Sequence, residues 1–429
     1  MNRYFIFAFA ICAAFNLASA QELGEVVAIT NEAGAQQFPD AAYNSRDDSF
    51  LAVWEHVAED DIVEIHGVVL NGQTGKPVGA PDVLLMGVYS IEAPEIAYNG
   101  DANEFLLIAR RNNDDVVLAQ RISNTGVPVG EPVEIGRSDG PTYFDPAARA
   151  RVATVAYNST DKQYFIGVCG EYWGYIVNPD LSIDFPIPRF GEGTNPAAAW
   201  SSKSNVYLMA YEDRQTRNTG NENLSAQLLS SLGEPIGDAI FLRDQDFAEE
   251  SPRIAYNSVD DQFLVVWDER IGFSENLNPQ TLTDTIGQLV GADGSKIWNP
   301  IPIEAGTAYT LRQDVEFSPQ AGAYLVVWKG DESGDFAFAD ILGRIVGRDG
   351  SLQSDIFLIY DGGDNGTDEG NSEQYFDESK LPVVALNAKT GAFLVVWEEA
   401  GTNRNPADRN IMARFVKVKT TPIHSWEIY

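Results

Sequence analysis

Arginine and aromatic side chains recur in the segments that separate the apolar runs of this chain. An arginine can bind a carboxylate or sulfate through two parallel hydrogen bonds, and an aromatic ring offers a flat apolar face to a sugar. The candidate ligand-binding residues are therefore Arg110, Tyr143, Tyr172, Trp173, Arg214, Arg270 and Arg312. Together they predict a site for an acidic polysaccharide. The alternative is that the arginines form ion pairs with acids close to them in sequence.

Histidine chemistry is scarce, because the chain contains only three histidines. His56 and His66 flank a short acidic segment that includes Asp60 and Asp61. Across a β-hairpin the two imidazoles could approach each other and, with a carboxylate such as Glu64, bind a metal ion. Strand alternation would instead place the two rings on opposite faces of the sheet. The sequence is compatible with both arrangements.

Catalytic patterns are weak. No Ser-His-Asp arrangement is indicated, and paired carboxylates of the glycoside hydrolase type do not discriminate in a chain with 63 Asp and Glu residues. A tyrosine and arginine arrangement for polysaccharide elimination could form around Tyr143, Tyr172 and Arg214. A polysaccharide lyase or glycoside hydrolase is therefore the enzymatic alternative to a binding protein.

One acidic segment, residues 361–371, is dense in oxygen ligands and glycines. Asp361, Asp364 and Asp368 are the candidate ligands for Ca²⁺, a cation that prefers oxygen donors. The spacing does not match the helix-flanked calcium loop. An acidic loop without an ion is the alternative, and we expect no other cofactor.

The elements that must position these residues repeat seven times along the chain. In each repeat an aromatic or large apolar residue is followed seven positions later by a second, and four positions after that by a third that is usually Trp. The repeats are Tyr43–Phe50–Trp54, Tyr98–Phe105–Ala109, Tyr157–Tyr164–Val168, Trp200–Tyr207–Tyr211, Tyr256–Phe263–Trp267, Phe317–Tyr324–Trp328 and Leu386–Phe393–Trp397. Seven repeats of short strands predict an all-β fold, a seven-bladed β-propeller with four antiparallel strands per blade.

Two further patterns support this architecture. A small residue recurs in the predicted third strand, which suggests that the sheets approach closely there; the slots are Gly67, Ala119, Gly174, Ala226, Gly287, Gly343 and Ala413. The seventh repeat has no fourth strand of its own, whereas residues 24–29 resemble the fourth strand of the second repeat. We therefore predict that the N-terminal strand completes the last blade and closes the ring.

The termini and the overall charge limit the class of protein. Residues 1–20 combine a basic start, an apolar run and a small-residue cleavage site ending at Ala20, which predicts a signal peptide. The expected domains are the propeller, residues 21–421, and a tail, residues 422–429. We expect a secreted protein, extracellular or periplasmic, without membrane insertion. A net charge of −34 argues against nucleic acid as a partner.

The Tyr-Asn pair and the Phe-Leu-Val-Val-Trp run, as in Tyr256-Asn257 and 263–267, resemble the bacterial secreted β-propeller repeat proteins. The resemblance covers essentially the whole chain after residue 20. The third slot departs from it in the second, third and fourth repeats, where Ala109, Val168 and Tyr211 replace Trp. The resemblance implies the fold and brings no defined activity.

The segments between the second and third strands, and between repeats, vary most in length, so one face of the propeller should carry the long loops. Binding usually resides in loops that a rigid scaffold positions. We therefore expect a binding or scaffold module that presents this face to a glycan or a surface protein. The alternatives are the enzyme described above, on the same face, and a structural subunit of an extracellular assembly.

Overall fold

All secondary structure in the described part of the chain is β-strand, which agrees with the short apolar runs of the repeats. The computed structural model describes residues 21–31, 33–57, 62–138, 153–168, 173–189, 193–213, 223–243, 249–273, 281–305, 310–330, 340–362, 381–399 and 409–419. Within these ranges no helix has the length and apolar character needed to cross a membrane.

The strands form seven separate four-stranded antiparallel sheets, which confirms the predicted seven-bladed propeller. Strand β1 is Gln21–Ala28. Blade 1 contains β2 (Ala35–Asn44), β3 (Ser49–Val57), β4 (Val63–Asn71) and β5 (Asp82–Leu85). Blade 2 contains β6 (Ile91–Asn99), β7 (Glu104–Arg111), β8 (Val116–Ser123) and β9 (Pro128–Arg137). Blade 3 contains β10 (Thr154–Asn158), β11 (Gln163–Gly167), β12 (Gly174–Val177) and β13 (Ile183–Ile187).

The remaining four blades follow the same order from the inner to the outer strand. Blade 4 contains β14 (Gly193–Ser201), β15 (Val206–Asp213), β16 (Asn223–Ser230) and β17 (Pro235–Arg243). Blade 5 contains β18 (Glu249–Asn257), β19 (Gln262–Phe273), β20 (Thr281–Gly291) and β21 (Lys296–Glu304). Blade 6 contains β22 (Leu311–Ser318), β23 (Ala323–Gly330), β24 (Asp340–Gly347) and β25 (Phe357–Tyr360). Blade 7 contains β26 (Val383–Leu386), β27 (Phe393–Glu399), β28 (Asn410–Val418) and β1.

The ring closes through its two ends, as predicted. β1 pairs with β28 in antiparallel register, from Gln21 opposite Val418 to Ala28 opposite Met412. The outer strand of blade 7 therefore comes from the start of the described chain. This pairing joins the first and last blades and leaves blade 7 with the same four strands as the others.

The turn between the first and second strands has one geometry in all seven blades. The residue five positions after the aromatic slot adopts a left-handed conformation, with φ between 52° and 74°. These residues are Asp48, Asn103, Lys162, Asn205, Asp261, Gly322 and Gly391. Asn, Asp and Gly tolerate this conformation best, which explains the turn residues of the repeat.

The core lies between the blades, where the second strands are buried on both faces. Trp54, Trp267, Trp328 and Trp397 fill the third slot of four repeats and are each completely buried. Between blades 3 and 4 the space is filled differently, because Trp173 packs edge-on against Tyr211 with ring centroids 4.4 Å apart. Trp173 belongs to a core cluster and is 1% exposed. An indole from another position thus replaces the missing Trp.

The small residues of the third strand are confirmed as sites of close approach, but the neighbours differ from the expectation. A Cβ added at Gly67 would lie 2.5 Å from Leu84 Cδ1 and 2.9 Å from the Ala52 carbonyl oxygen. Both neighbours belong to blade 1 itself, in its fourth and second strands. The small residue therefore makes room within one blade, where the fourth-strand side chain crosses the third strand, rather than between two sheets.

Candidate functional site

The inner strands of five blades share a bulge near their first residues, at the end of the propeller where the chain enters each blade. In blades 1, 2, 4, 5 and 6 the register with the second strand shifts at this point. The first bulge residue is left-handed in every case, with φ of 52–62°. These residues are Phe38, Ala93, Asn195, Ser251 and Arg312. The bulge turns a backbone N–H away from the regular ladder.

A carboxylate from the preceding blade accepts that N–H at four blade junctions. The acceptor is the residue directly after the third slot of the repeat, and it is at most 4% exposed in each case. The contacts are Glu398 with Phe38 N at 3.1 Å, Glu55 with Ala93 N at 2.8 Å, Glu212 with Ser251 N at 2.8 Å and Asp268 with Arg312 N at 3.1 Å. These side chains hold adjacent blades together around the central channel.

The bulges surround a pocket at the mouth of this channel. The pocket has a volume of about 50 Å³. The pocket is lined by Phe38, Pro39, Ala93, Pro94, Arg253, Arg312, Gln313, Leu381, Pro382 and Val383. These residues come from the inner strands of blades 1, 2, 5, 6 and 7 or the residues just before them. A cavity needs roughly 10–15 Å³ to hold one water, so a small polar group fits in this pocket.

Polar groups converge beside the pocket on its blade 5 and 6 side. Arg253 and Arg312 bring two guanidinium groups, and Gln313 is 1% exposed. The Oε1 of Gln313 is buried and has no hydrogen-bond partner within the described residues. A buried polar atom of this kind is rare unless a water or ligand satisfies it. The pocket therefore offers two cationic donors and one neutral acceptor.

The carboxyl group of Asp268 is buried close to these arginines, and its pKa is raised. Burial raises the pKa of Asp268 to about 8, although the hydrogen bond from the Arg312 amide and the nearby arginine charges oppose this shift. The charge of Glu250 raises the pKa further. Its Oδ2 accepts the Arg312 amide, while its Oδ1 is buried without a partner among the residues that the structure describes.

The structure places the predicted arginines in different surroundings. Arg312 lines the pocket. Arg110 is mostly buried and forms ion pairs with Glu92 at 3.0 Å and Asp115 at 3.1 Å. Arg270 contacts Glu250 at 2.6 Å. Arg110 and Arg270 thus form ion pairs, but only Asp115 is close in sequence, as the alternative expected; Glu92 and Glu250 lie on the adjacent strand. Among the predicted arginines that the structure describes, Arg312 is the one that joins the pocket.

Trp173 is not among the residues that line the pocket. Trp173 is buried in the core, so its ring faces are covered by neighbouring side chains and we leave it out of the site. Tyr143, Tyr172, Arg214, Asp364 and Asp368 lie outside the described residues, as do the predicted signal peptide and the tail.

Of the three candidate calcium ligands, the structure describes one, Asp361, which follows the outer strand of blade 6. No group of three or more His, Cys, Asp or Glu side chains suited to a metal ion occurs in the described ranges. Calcium binding by residues 361–371 therefore stays a prediction.

The two histidines of blade 1 do approach each other. The His56 and His66 rings stack with centroids 4.3 Å apart and an interplanar angle of 25°. His66 Nε2 lies 3.2 Å from Glu64 Oε2, and His56 Nδ1 lies 3.0 Å from Gln36 Oε1. Stacked rings direct their nitrogens outward in the ring planes rather than toward one shared point. The pair therefore fits a packing contact better than a metal site.

The sequence did not point to several residues of the site, although it contains one pattern that indicates the junction carboxylates. An acid directly follows the third slot in four repeats, at Glu55, Glu212, Asp268 and Glu398. Since the slot before it is buried, a repeated acid there indicates a buried carboxylate with a fixed backbone partner. Arg253 and Gln313 gave no signal, because only the ring brings them together.

Comparisons with known proteins support the fold and assign no function. No protein-family model matches the chain, and no curated protein matches it. A chain of hydrazine synthase from Kuenenia stuttgartiensis is 12% identical, with a TM-score of 0.53, over 92% of this chain and 97% of that chain.

Two β-propeller domains are also similar in structure. That of the Trilobed protease from Pyrococcus furiosus is 9% identical, with a TM-score of 0.46, over 89% of this chain and 95% of that chain. That of Cps50 (Swd1) from Myceliophteria thermophila is 10% identical, with a TM-score of 0.47, over 93% and 100% of the two chains. At such identities these likenesses concern fold alone.

Proposed function

We propose that this propeller is a binding module whose channel-mouth pocket takes the terminal carboxylate of an acidic sugar. The observation that carries the proposal is the convergence of Arg253 and Arg312 with the unpartnered Gln313 Oε1 at the pocket. Guanidinium groups pair with a carboxylate in a bidentate manner, and the amide oxygen can accept from a water held beside that carboxylate. The buried Gln313 Oε1 then gains a partner.

The size of the pocket and the charge of the protein limit the ligand further. A space of about 50 Å³ admits a carboxylate group but not a pyranose ring, so the sugar would lie across the mouth. The net charge of −34 repels a long polyanion. A chain end with one or a few uronate residues fits this site better than the middle of an acidic polymer.

The raised pKa of Asp268 is the feature that would favour the enzymatic alternative, since shifted acids cluster at active sites. However, Glu55, Glu212 and Glu398 make the same backbone contact at other blade junctions. A contact repeated around the ring is explained by its role in joining the blades. We therefore favour binding without catalysis.

The experiment measures binding of a short uronate oligomer, trigalacturonate, by titration calorimetry with the full chain and with Arg312→Ala. We expect binding that weakens at least tenfold in the variant, with partial recovery in Arg312→Lys. Arg348→Ala is the matched control, because Arg348 is an exposed arginine in a turn of blade 6 whose ion pair is with Asp260.

The same mixtures are assayed for new reducing ends and for unsaturated uronate absorbance. Binding without new ends supports the binding module, whereas cleavage would contradict it and favour the lyase or hydrolase. Equal affinity in the wild type and Arg312→Ala would remove the pocket from the proposal. Absence of any binding would point to a protein partner or a structural role.

A further inference from the structure

Trp298, in the outer strand of blade 5, combines an uncommon backbone conformation with an exposed indole. Its φ is 61°, a left-handed value that a bulky side chain seldom adopts. Its side chain is 77% exposed. Of the seven tryptophans in the described ranges, five are buried and Trp200 is half-buried, so Trp298 is the one that faces solvent.

The same backbone position exists in two other blades, where glycine occupies it. In blades 2, 4 and 5 a glutamine of the third strand donates to the carbonyl of a left-handed residue in the fourth strand. The pairs are Gln120 with Gly130 at 3.3 Å, Gln227 with Gly237 at 3.4 Å and Gln288 with Trp298 at 3.3 Å. The bulge that creates the left-handed residue is thus a shared feature of these blades.

The glycine positions show that this slot opens to solvent. No atom lies within 4 Å of a Cβ built on Gly130 or on Gly237. The fold therefore leaves open space around the Cβ position of this slot, and glycine is the residue that suits the backbone best. Trp298 adopts a conformation that glycine adopts more readily, and its 77% exposure leaves little buried surface to offset that cost. Strain of this kind points to a role in contacting something outside the chain.

The outer edge of blade 5 is poorly suited to an added β-strand. Pro300 and Pro302 lack an N–H, and the bulge at Trp298 interrupts the regular edge. Both features block strand pairing at sheet edges. A partner must therefore contact the side chains rather than extend the sheet.

Other exposed aromatic and polar groups lie on the outer strands of blades 4 and 5. Phe241, in the outer strand of blade 4, is 57% exposed, and its carbonyl accepts a hydrogen bond from Lys296 Nζ at 2.9 Å. Lys296 precedes Trp298 by two residues, so one lysine side chain connects the outer strands of blades 4 and 5 that carry the two exposed rings. Asn299 is also exposed and offers an amide.

We propose that Trp298 and Phe241 form a second binding site, on the rim, for a neutral polysaccharide. The electron-rich face of an indole attracts the C–H groups on one face of a pyranose ring, while an amide such as Asn299 bonds to hydroxyl groups at its edge. The net charge of −34 disfavours an acidic polymer on this open surface. Two rings on the outer strands of adjacent blades suit a chain of several sugars. The site begins at the opposite end of the blades from the channel mouth and does not depend on it.

The test compares the full chain with Trp298→Gly in native affinity gels that contain laminarin or mixed-linkage β-glucan. The variant carries the residue that blades 2 and 4 use at this slot, so we expect it to be at least as stable as the wild type. We expect at least one glucan to retard the wild type, and at least a tenfold weaker effect on Trp298→Gly. The glucan should also reduce acrylamide quenching of wild-type tryptophan fluorescence and leave that of the variant unchanged.

Two controls separate this site from the channel mouth. Arg312→Ala should bind the neutral glucan as the wild type does, and Trp298→Gly should bind trigalacturonate as the wild type does. Equal retardation of the wild type and Trp298→Gly would overturn the proposal. So would the absence of retardation by both glucans together with unchanged quenching.

Discussion

The carboxylate of Asp268 in blade 5 accepts a hydrogen bond from the backbone amide of Arg312 in blade 6, at 3.1 Å. This contact fixes the left-handed bulge of the next inner strand, and Arg312 lines the channel-mouth pocket. Glu55, Glu212 and Glu398 accept the equivalent backbone amide at three other junctions. Arg312 therefore belongs both to a blade junction and to the polar lining of the pocket.

Replacing Asp268 by Asn should change how stability depends on pH. The pKa of Asp268 in the fold, about 8, lies above its ordinary value of roughly 3.9. The contribution of the protonated Asp268 to stability is therefore fully present below about pH 4 and is lost as pH rises through about 8. Asn still accepts the Arg312 amide but does not ionise.

We therefore expect the free energy of unfolding of Asp268→Asn, relative to the wild type, to increase between pH 5 and 8 by about 1 kcal/mol or more. Urea unfolding at pH 5, 6.5 and 8 measures it. A constant difference across this range would contradict a raised pKa.

Removing the Glu55 carboxylate should weaken the junction of blades 1 and 2. Glu55 accepts from the Ala93 amide at 2.8 Å and from Gln37 Nε2 at 3.0 Å. Glu55→Ala leaves both donors buried, so we expect a loss of about 2 to 4 kcal/mol in urea unfolding at pH 7. Glu131→Ala, at an exposed position of blade 2, is the control and should stay within about 0.5 kcal/mol of the wild type. Equal effects of the two changes would show that the junction contact is not stabilising.

Glu316 occupies an inner-strand slot that the other six blades fill with alanine. Those residues are Ala42, Ala97, Ala156, Ala199, Ala255 and Ala385. Burial raises the pKa of Glu316 to about 7, and the charge of Asp314 adds to the effect. Its contribution to stability is full below about pH 4.5 and is lost as pH rises to about 7.

Glu316→Ala should therefore gain stability relative to the wild type between pH 4.5 and 7, by up to about 3 kcal/mol, with no further gain above pH 7.5. Thermal unfolding across pH 4.5 to 8.5 measures this. A gain that continued to pH 8.5 would assign the titration to another group.

Adding one methyl group at Gly67 should destabilise blade 1. The new Cβ would lie 2.5 Å from Leu84 Cδ1 and 2.9 Å from the Ala52 carbonyl oxygen, which is backbone and cannot move freely. We expect Gly67→Ala to lose about 1 to 3 kcal/mol in urea unfolding. Ala at the same slot in blades 2 and 4, as Ala119 and Ala226, shows that the loss depends on the neighbours of this blade. Unchanged stability would mean that Leu84 can move aside.

The architecture was readable from the sequence because each of its determinants is local. The spacing of Tyr256, Phe263 and Trp267 is set by one hairpin, and the small residue at Gly287 by the crossing within one blade. Seven copies of such short-range patterns leave one arrangement that buries all the apolar strands. The closure by β1 followed because the last repeat was one strand short.

The candidate sites depended on tertiary structure, for two physical reasons. Phe38, Ala93, Arg253, Arg312 and Pro382 are far apart in sequence and meet at one pocket only because the ring brings the inner strands to a common axis. Trp173 has the residue type of a ligand contact, yet it fills the core where Tyr211 replaces the usual Trp. Exposure and backbone conformation decide such roles, as Trp298 shows, and residue type alone specifies neither.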